Sequence, residues 1–386
     1  MNENNIPVSV SRVTTHSICP RRFYYKYERG LEQAVVGVSP RVLGLVVHEV
    51  LAFALKQYHL GGNQFLARPA LLTIVTQAAY LWDKENRPDL YAQFVDDEGV
   101  VVRQLDLERY NEWHEMLEKA RDISLRTLIE LDIPRTYIVA SDAEGKPLVE
   151  YELEHQWQVE SNSFVGATMP YLFRGRLDVV LESVDFGYRV LVDFKTKGGS
   201  YRTEEGEALA AQIGLYQHVL WLAHGIHTPI GLLFQIKARS PETPTLNKNG
   251  TMSRRKLVST WEVYEDALLK AGLDPNEYEE EMRPKLAAVE WFRKTEVVRT
   301  GTITQRVWNN FQEQVYHMNR DTTYPRVLSP TTCQGCAFNT LCNAWLYGHD
   351  EDAIIEEQYE QCPAEGALFS TGPLANPLYL VHHKEE

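Results

Sequence analysis

Two short stretches constrain this chain more than any other part of it. Residues 171–181 and 188–195 alternate apolar and polar side chains with period two. Between them, Ser183-Val-Asp-Phe-Gly187 has the length and the glycine of a hairpin loop. The alternation predicts Phe173, Leu177, Val179 and Leu181 on one face of the first strand, with Arg174, Arg176 and Asp178 on the other. In the second strand Val190, Val192 and Phe194 share a face, opposite Arg189, Leu191, Asp193 and Lys195. Opposed residues of an antiparallel pair have a constant summed number, and a loop centred near residue 185 brings Asp178 and Asp193 together within one register step. Facing carboxylates destabilise a hairpin unless positive charge lies between them. Lys195 projects from the same face as Asp193, so two carboxylates and an ammonium converge, which suits a hard cation with a proton-handling group beside it.

Helical patterns flank this hairpin. Residues 41–59 carry Leu43, Val46, Val47, Val50, Leu51, Ala54, Leu55 and Tyr58 at helical spacing, and His48 lies at the edge of that stripe, where it can reach a cleft. A second helix over residues 205–224 has Leu209, Ile213, Tyr216, Leu220 and Ala223 inward, with Gln212 one turn before Tyr216 on nearly the same side. Residues 230–237 read as another buried strand, and the order helix, hairpin, helix, strand describes a mixed α/β core. Residues 60–145 and 241–310 exceed that core and read as largely helical, including 261–271 and 283–294.

Three of the five cysteines form the run Cys333-Gln-Gly-Cys336-Ala-Phe-Asn-Thr-Leu-Cys342. An odd count behind a start that has neither a basic leader nor an apolar signal core argues against a disulfide framework, and thiols at this density hold a metal. A fourth ligand completes a zinc or [4Fe–4S] site. Cys362 closes the shorter loop, whereas Cys19 ties the two ends of the chain together, and spacing leaves both open.

Composition removes other classes. A hydrophobic share of 44% with 24% charged residues excludes a disordered chain, and no apolar run approaches a membrane span, so a cytosolic protein without membrane partners is expected. The net charge of −14 is unfavourable for phosphate binding unless a cation or a local patch reverses the field, and short basic runs occur at Arg21-Arg22, Arg174 and Arg176, residues 195–202 and 254–256.

Taken together these residues resemble the PD-(D/E)XK nuclease superfamily, in particular its RecB/AddB-like branch. Gly44-Leu-Val-Val-His48 is similar to the family's helical histidine motif, Gly175-Arg-Leu-Asp178 to the strand bearing its first aspartate, and Asp193-Phe-Lys195 to its D/E-x-K step. Gln212-Ile-Gly-Leu-Tyr216 resembles the Q-x-x-x-Y helix, and Cys19 with Cys333, Cys336 and Cys342 resembles the four-cysteine iron–sulfur clip, also found in CRISPR-associated relatives. The first motif lacks the proline of the superfamily's name. The resemblance implies a restriction-endonuclease-like mixed sheet flanked by helices, with helical insertions and a [4Fe–4S] clip joining the two ends. It divides the chain into an N-terminal segment (1–40), a nuclease core (41–240, with an insertion at about 60–145), a helical extension (241–325), a cysteine segment (326–345) and a peripheral tail (346–386). It implies Mg2+ or Mn2+ on His48, Asp178, Asp193 and the Phe194 carbonyl, with Lys195 orienting the attacking water and Gln212 and Tyr216 supporting it. Arg21, Arg22, Arg174 and Arg176 then meet the phosphates of DNA, single-stranded or with free ends. The implied activity is a stand-alone exonuclease of DNA processing, recombination or repair. No G-x-x-x-x-G-K-[ST] loop occurs, so any helicase or recombination partner is a separate chain. A catalytically silent iron–sulfur scaffold and a CRISPR spacer-processing nuclease share the same motifs.

Overall fold

The computed structural model describes residues 6–361 apart from 34–37, 63–65, 89, 96–100, 134, 161–167, 199–202, 256 and 322. Cys362 and most of the tail therefore lie outside the described residues, as do residues 199–202 and 256 of the basic runs. In chain order, β1 (Ile6–Val8) leads into α1 (Val10–Ile18), and the helices α2 (Pro40–Leu60), α3 (Arg68–Asn86) and α4 (Leu107–Leu131) follow. Strands β2 (Tyr137–Val139), β3 (Val149–Glu160), β4 (Thr168–Ser183) and β5 (Arg189–Lys197) come next, then α5 (Thr203–His224) and β6 (Ile230–Lys237). The remaining principal elements are α6 (Trp261–Lys270), α7 (Asn276–Ala287), β7 (Phe292–Val298), α8 (Gly301–Arg320) and α9 (Asn339–Tyr347).

Seven strands make one mixed sheet in the order β1-β4-β5-β6-β7, with β2 and β3 on the other edge of β4. The expected mixed α/β core is thus present. The sheet is sandwiched: Val179, Leu181, Val190, Val192, Phe194 and Phe234 pack against α2, α3 and α4. Tyr171, Phe173, Leu177, Leu191 and Leu233 pack against α5 and α8 on the reverse. Start signals agree with sequence, since the Ser39 hydroxyl accepts from Val42 N and Pro40 opens α2, while Asp106 caps α4 in the same way.

Two departures from the pattern are informative. Of residues 283–294, only 283–287 are helical, as the end of α7 at Ala287; from Phe292 the chain forms β7, which pairs antiparallel with β6 at the sheet edge. Only Val297 of β7 is buried, so an edge strand with charged side chains gave no apolar period to read. Along β4, Leu177 and Val179 do not share a face, because they enter opposite hydrophobic layers. The alternation slips at Asp178, and on the neighbouring β3 Glu150 takes a left-handed φ of 48°, a conformation that is costly away from glycine and concentrates at functional sites.

The layer of α3 and α4 contains one buried charge. Asp83, 4% exposed, accepts from Trp113 Nε1 at 2.6 Å and from Arg87 Nε at 3.0 Å. Burial pushes its carboxyl up, but these donors more than compensate and hold it below the usual carboxylate range. A depressed folded pKa gives stability above the unfolded value, lost as pH falls through it. Asp83→Ala is expected to cost about 1–3 kcal/mol at neutral pH and to flatten the acid limb of a melting-temperature profile below about pH 4.

Candidate active site

The site lies in a gap of the sheet. One edge of β4 pairs with β1 at Tyr171 to Phe173 and with β5 at Val179 to Glu182, and no described strand occupies that edge between Phe173 and Val179. Arg174, Arg176 and Asp178 fall in this interval. The hairpin register Val179↔Val192 extends to Asp178 opposite Asp193, as expected, but the ladder ends one residue earlier. There Asp178 Oδ2 accepts the Phe194 N–H at 2.6 Å, a side chain replacing a backbone acceptor.

A cavity of about 570 Å3 opens at this gap, and His48, Asp178, Asp193, Lys195, Gln212, Tyr216, Arg174 and Arg176 all line it. His48 Nδ1 sits 3.6 Å from Asp178 Oδ1. Lys195 Nζ lies 2.8 Å from Asp193 Oδ2 and 2.9 Å from Oδ1. Gln212 Nε2 donates to Tyr216 Oη at 3.4 Å. Gly175 has a steric reason: a Cβ there would meet Phe173 at 2.9 Å and the Tyr216 ring at 3.0 Å.

One residue that sequence reasoning missed belongs with these. His48, Glu150 and Asp178 bring one ligand atom each within 4.8 Å of one another. Glu150 also takes Arg176 Nε at 2.7 Å. In the sequence it is one of three alternating glutamates, and only the pairing Tyr151↔Leu177 sets it beside Asp178. Arg174 is likewise held, its Nε 2.9 Å from Glu154.

The electrostatics are those of crowded acids partly offset by Lys195 and Arg176. Burial and the nearby Asp178 charge push Glu150 up to about 7, against the pull of Arg176. Burial also raises Asp193, opposed by Lys195 and reinforced by Asp178. Asp178 itself stays below the carboxylate range: burial raises it, but His48, Lys195 and the Phe194 N–H outweigh that. Burial works against a charged His48, yet Asp178 lifts its pKa above the ordinary value. Lys195 is raised despite burial, because both aspartates face it. An imidazole with two or three carboxylates fits Mn2+ or Mg2+, the nitrogen favouring the transition metal. Glu150→Gln is expected to weaken Mn2+ binding about 10–100-fold, read by titration of the free-ion EPR signal.

The remaining predicted residues sit elsewhere. Cys19, Cys333, Cys336 and Cys342 come together around a second, small cavity although they are more than 300 positions apart in sequence at the extremes. Arg21 and Arg22 line that cavity and not the catalytic one, and the Arg21 guanidinium lies 3.8 Å from the Trp345 ring centroid. Among the described residues no helix is long and apolar enough to cross a membrane.

The sequence profile of the PD-(D/E)XK nuclease superfamily matches residues 7–343. Among solved structures, a candidate exonuclease from Eubacterium rectale is similar at 9% identity and a TM-score of 0.36, over 86% of this chain and 89% of that one. A protein from Vibrio cholerae is similar at 15% identity and a TM-score of 0.15, over 68% of this chain and 59% of that one. No curated protein sequence matches.

Proposed function

Since the chain belongs to the PD-(D/E)XK nuclease superfamily, we propose that it is a divalent-metal-dependent deoxyribonuclease acting from DNA ends. The observation that supports this reading is the convergence of His48, Glu150, Asp178, Asp193 and Lys195 in one open cavity. His48, Glu150 and Asp178 would hold the ion, with Asp193 and the Phe194 carbonyl as further ligands. When bound, Mg2+ or Mn2+ lowers the pKa of a water and offsets charge on the phosphate. Lys195, charged throughout the working pH range, orients the nucleophile and neutralises charge developing on the phosphate. Tyr216 accepts from Gln212, which leaves its own proton for a phosphate oxygen; burial, with Asp193 and Asp178 nearby, pushes its pKa up to about 12, so it remains a donor. Arg174 and Arg176 contact the strand by exchanging their glutamate partners for phosphates.

The four cysteines we assign to a structural [4Fe–4S] cluster. Their donor set fits: four free thiols line one cavity, and Arg326 Nη2 reaches Cys333 Sγ at 4.0 Å. Arg21 and Arg22 beside them then balance cluster charge, with DNA contact secondary.

The test uses anaerobically purified protein with end-labelled single- and double-stranded DNA. Cleavage is expected with Mn2+ or Mg2+, stops with chelator, and falls about 10²–10³-fold in Lys195→Ala. Release of label as mononucleotides identifies exonucleolytic action. Intact DNA in every lane, despite bound metal and DNA, would replace this reading with a binding scaffold.

A further inference from the structure

A third cavity, of about 360 Å3, lies on the far side of α5 from the one lined by His48 and Asp178. Gln212 and Tyr216 of α5 line the catalytic cavity, whereas Gln217 and Trp221, one to two turns on, line this one. Its opposite wall is Arg299 with Gly301 and Thr304 at the amino end of α8. This 20-residue helix begins without a side-chain cap, and with Ile303 N–H turned onto the Thr300 carbonyl it is the Gly301 and Thr302 N–H groups that are left for an acceptor. Arg299 is seated by a missing side chain: a Cβ on Gly214 would come within 2.9 Å of its Cδ. Its Nε is buried without an acceptor, and no carboxylate of the described residues lies within ion-pair distance of it. Two further polar atoms are stranded here, Thr228 Oγ1 and Gln217 Oε1, on side chains only 4% and 5% exposed. The free guanidinium and the uncapped helix start favour an anion, the Thr228 hydroxyl can donate to one, and Gln217 Oε1, an acceptor, takes a donor group of the same ligand. Trp221, 51% exposed, offers a ring face at the rim, and the volume is that of a small ligand.

We propose that this cavity binds a nucleotide, with its phosphate on Arg299 and the start of α8 and its base on Trp221. The choice of a nucleotide over another phosphate rests on the nuclease reading; the anion site stands without it. The same chemistry is offered by a released mononucleotide and by the terminal nucleotide of a strand.

Isothermal titration with 2′-deoxyadenosine 5′-monophosphate in chelator separates this from catalysis, since neither metal nor cleavage is involved. Saturable binding is expected, at least ~10-fold weaker in Arg299→Gln and in Trp221→Ala, which is about 1.4 kcal/mol, and unchanged in Asp178→Asn. The exposed Trp221 can be replaced without burdening the fold. Inorganic phosphate is expected to compete weakly, as the anion alone. A 5′-phosphorylated pentanucleotide that binds with the same variant sensitivities identifies strand ends as the source; binding of the mononucleotide only identifies released product. No saturable binding, or binding that both variants leave untouched, would overturn the proposal whatever the cleavage assay shows.

Discussion

Asp178→Asn is expected to cut metal-dependent DNA cleavage about 10³-fold while leaving the metal-free protein folded, though somewhat less stable than the parent. The carboxamide keeps an oxygen for the Phe194 N–H, so the bond that replaces the strand ladder survives. What is lost is one negative charge from a set in which Asp178 raises the pKa of both Glu150 and Asp193. Relieving that repulsion offsets only part of the loss in chelator, because His48, Lys195 and the Phe194 N–H hold the Asp178 carboxyl below the carboxylate range and its charge is on balance stabilising at neutral pH. In the proposed mechanism the same charge holds a cation at the phosphate; losing about 4 kcal/mol there corresponds to the rate loss, at 1.36 kcal/mol per tenfold. His48 gives an independent reading, because its raised pKa depends on Asp178. By NMR titration His48 should fall below the ordinary imidazole value in the variant, because burial then acts without the Asp178 charge, whereas a general loosening that exposes it would only return it to that value. If the variant bound Mn2+ as tightly as the parent and lost activity only in step with its folded fraction, Asp178 would be a structural residue and the metal reading would lose its centre.

How much of this could be read from sequence follows from which contacts are local. The β4–β5 hairpin was legible because a constant-sum register needs only two strands and a loop, and Asp178 and Asp193 came with it. His48 followed from its place on the edge of a long apolar stripe. Glu150 was not legible: its neighbour Asp178 is on another strand, and its left-handed backbone has no sequence mark. The same kink explains why Leu177 and Val179 part company, since period two assumes that no strand twists mid-course. Spacing found three cysteines but left the fourth open; Cys19 joins them only through tertiary packing. Arg21 and Arg22 show the limit of charge patterning, because two adjacent arginines carry no information about which cavity they border.

The cysteine assignment leads to the other large effect. Cys19→Ser is expected to remove the bound iron and its visible absorbance, and to speed proteolysis within residues 323–361 at least ~10-fold, equivalent to about 1.4 kcal/mol of local opening. The segment around Cys333 and Cys342 is covered by a small hydrophobic cluster centred on Tyr25, Leu31, Phe338, Leu341, Ile355 and Tyr359. So few side chains hold a long stretch of chain weakly, and in the proposed cluster a cross-link from Cys19 would fasten them. Cys19 also follows α1, whose start at Ser9 and Val10 forms part of the catalytic wall. A loosened α1 therefore lowers cleavage as well, but less than Asp178→Asn does, because no metal ligand moves with it. Colourless parent protein with one zinc per chain, and the same protease sensitivity in Cys19→Ser, would keep the clip and change its metal. Parent protein with neither metal, digested no more slowly than the variant, would remove the clip altogether.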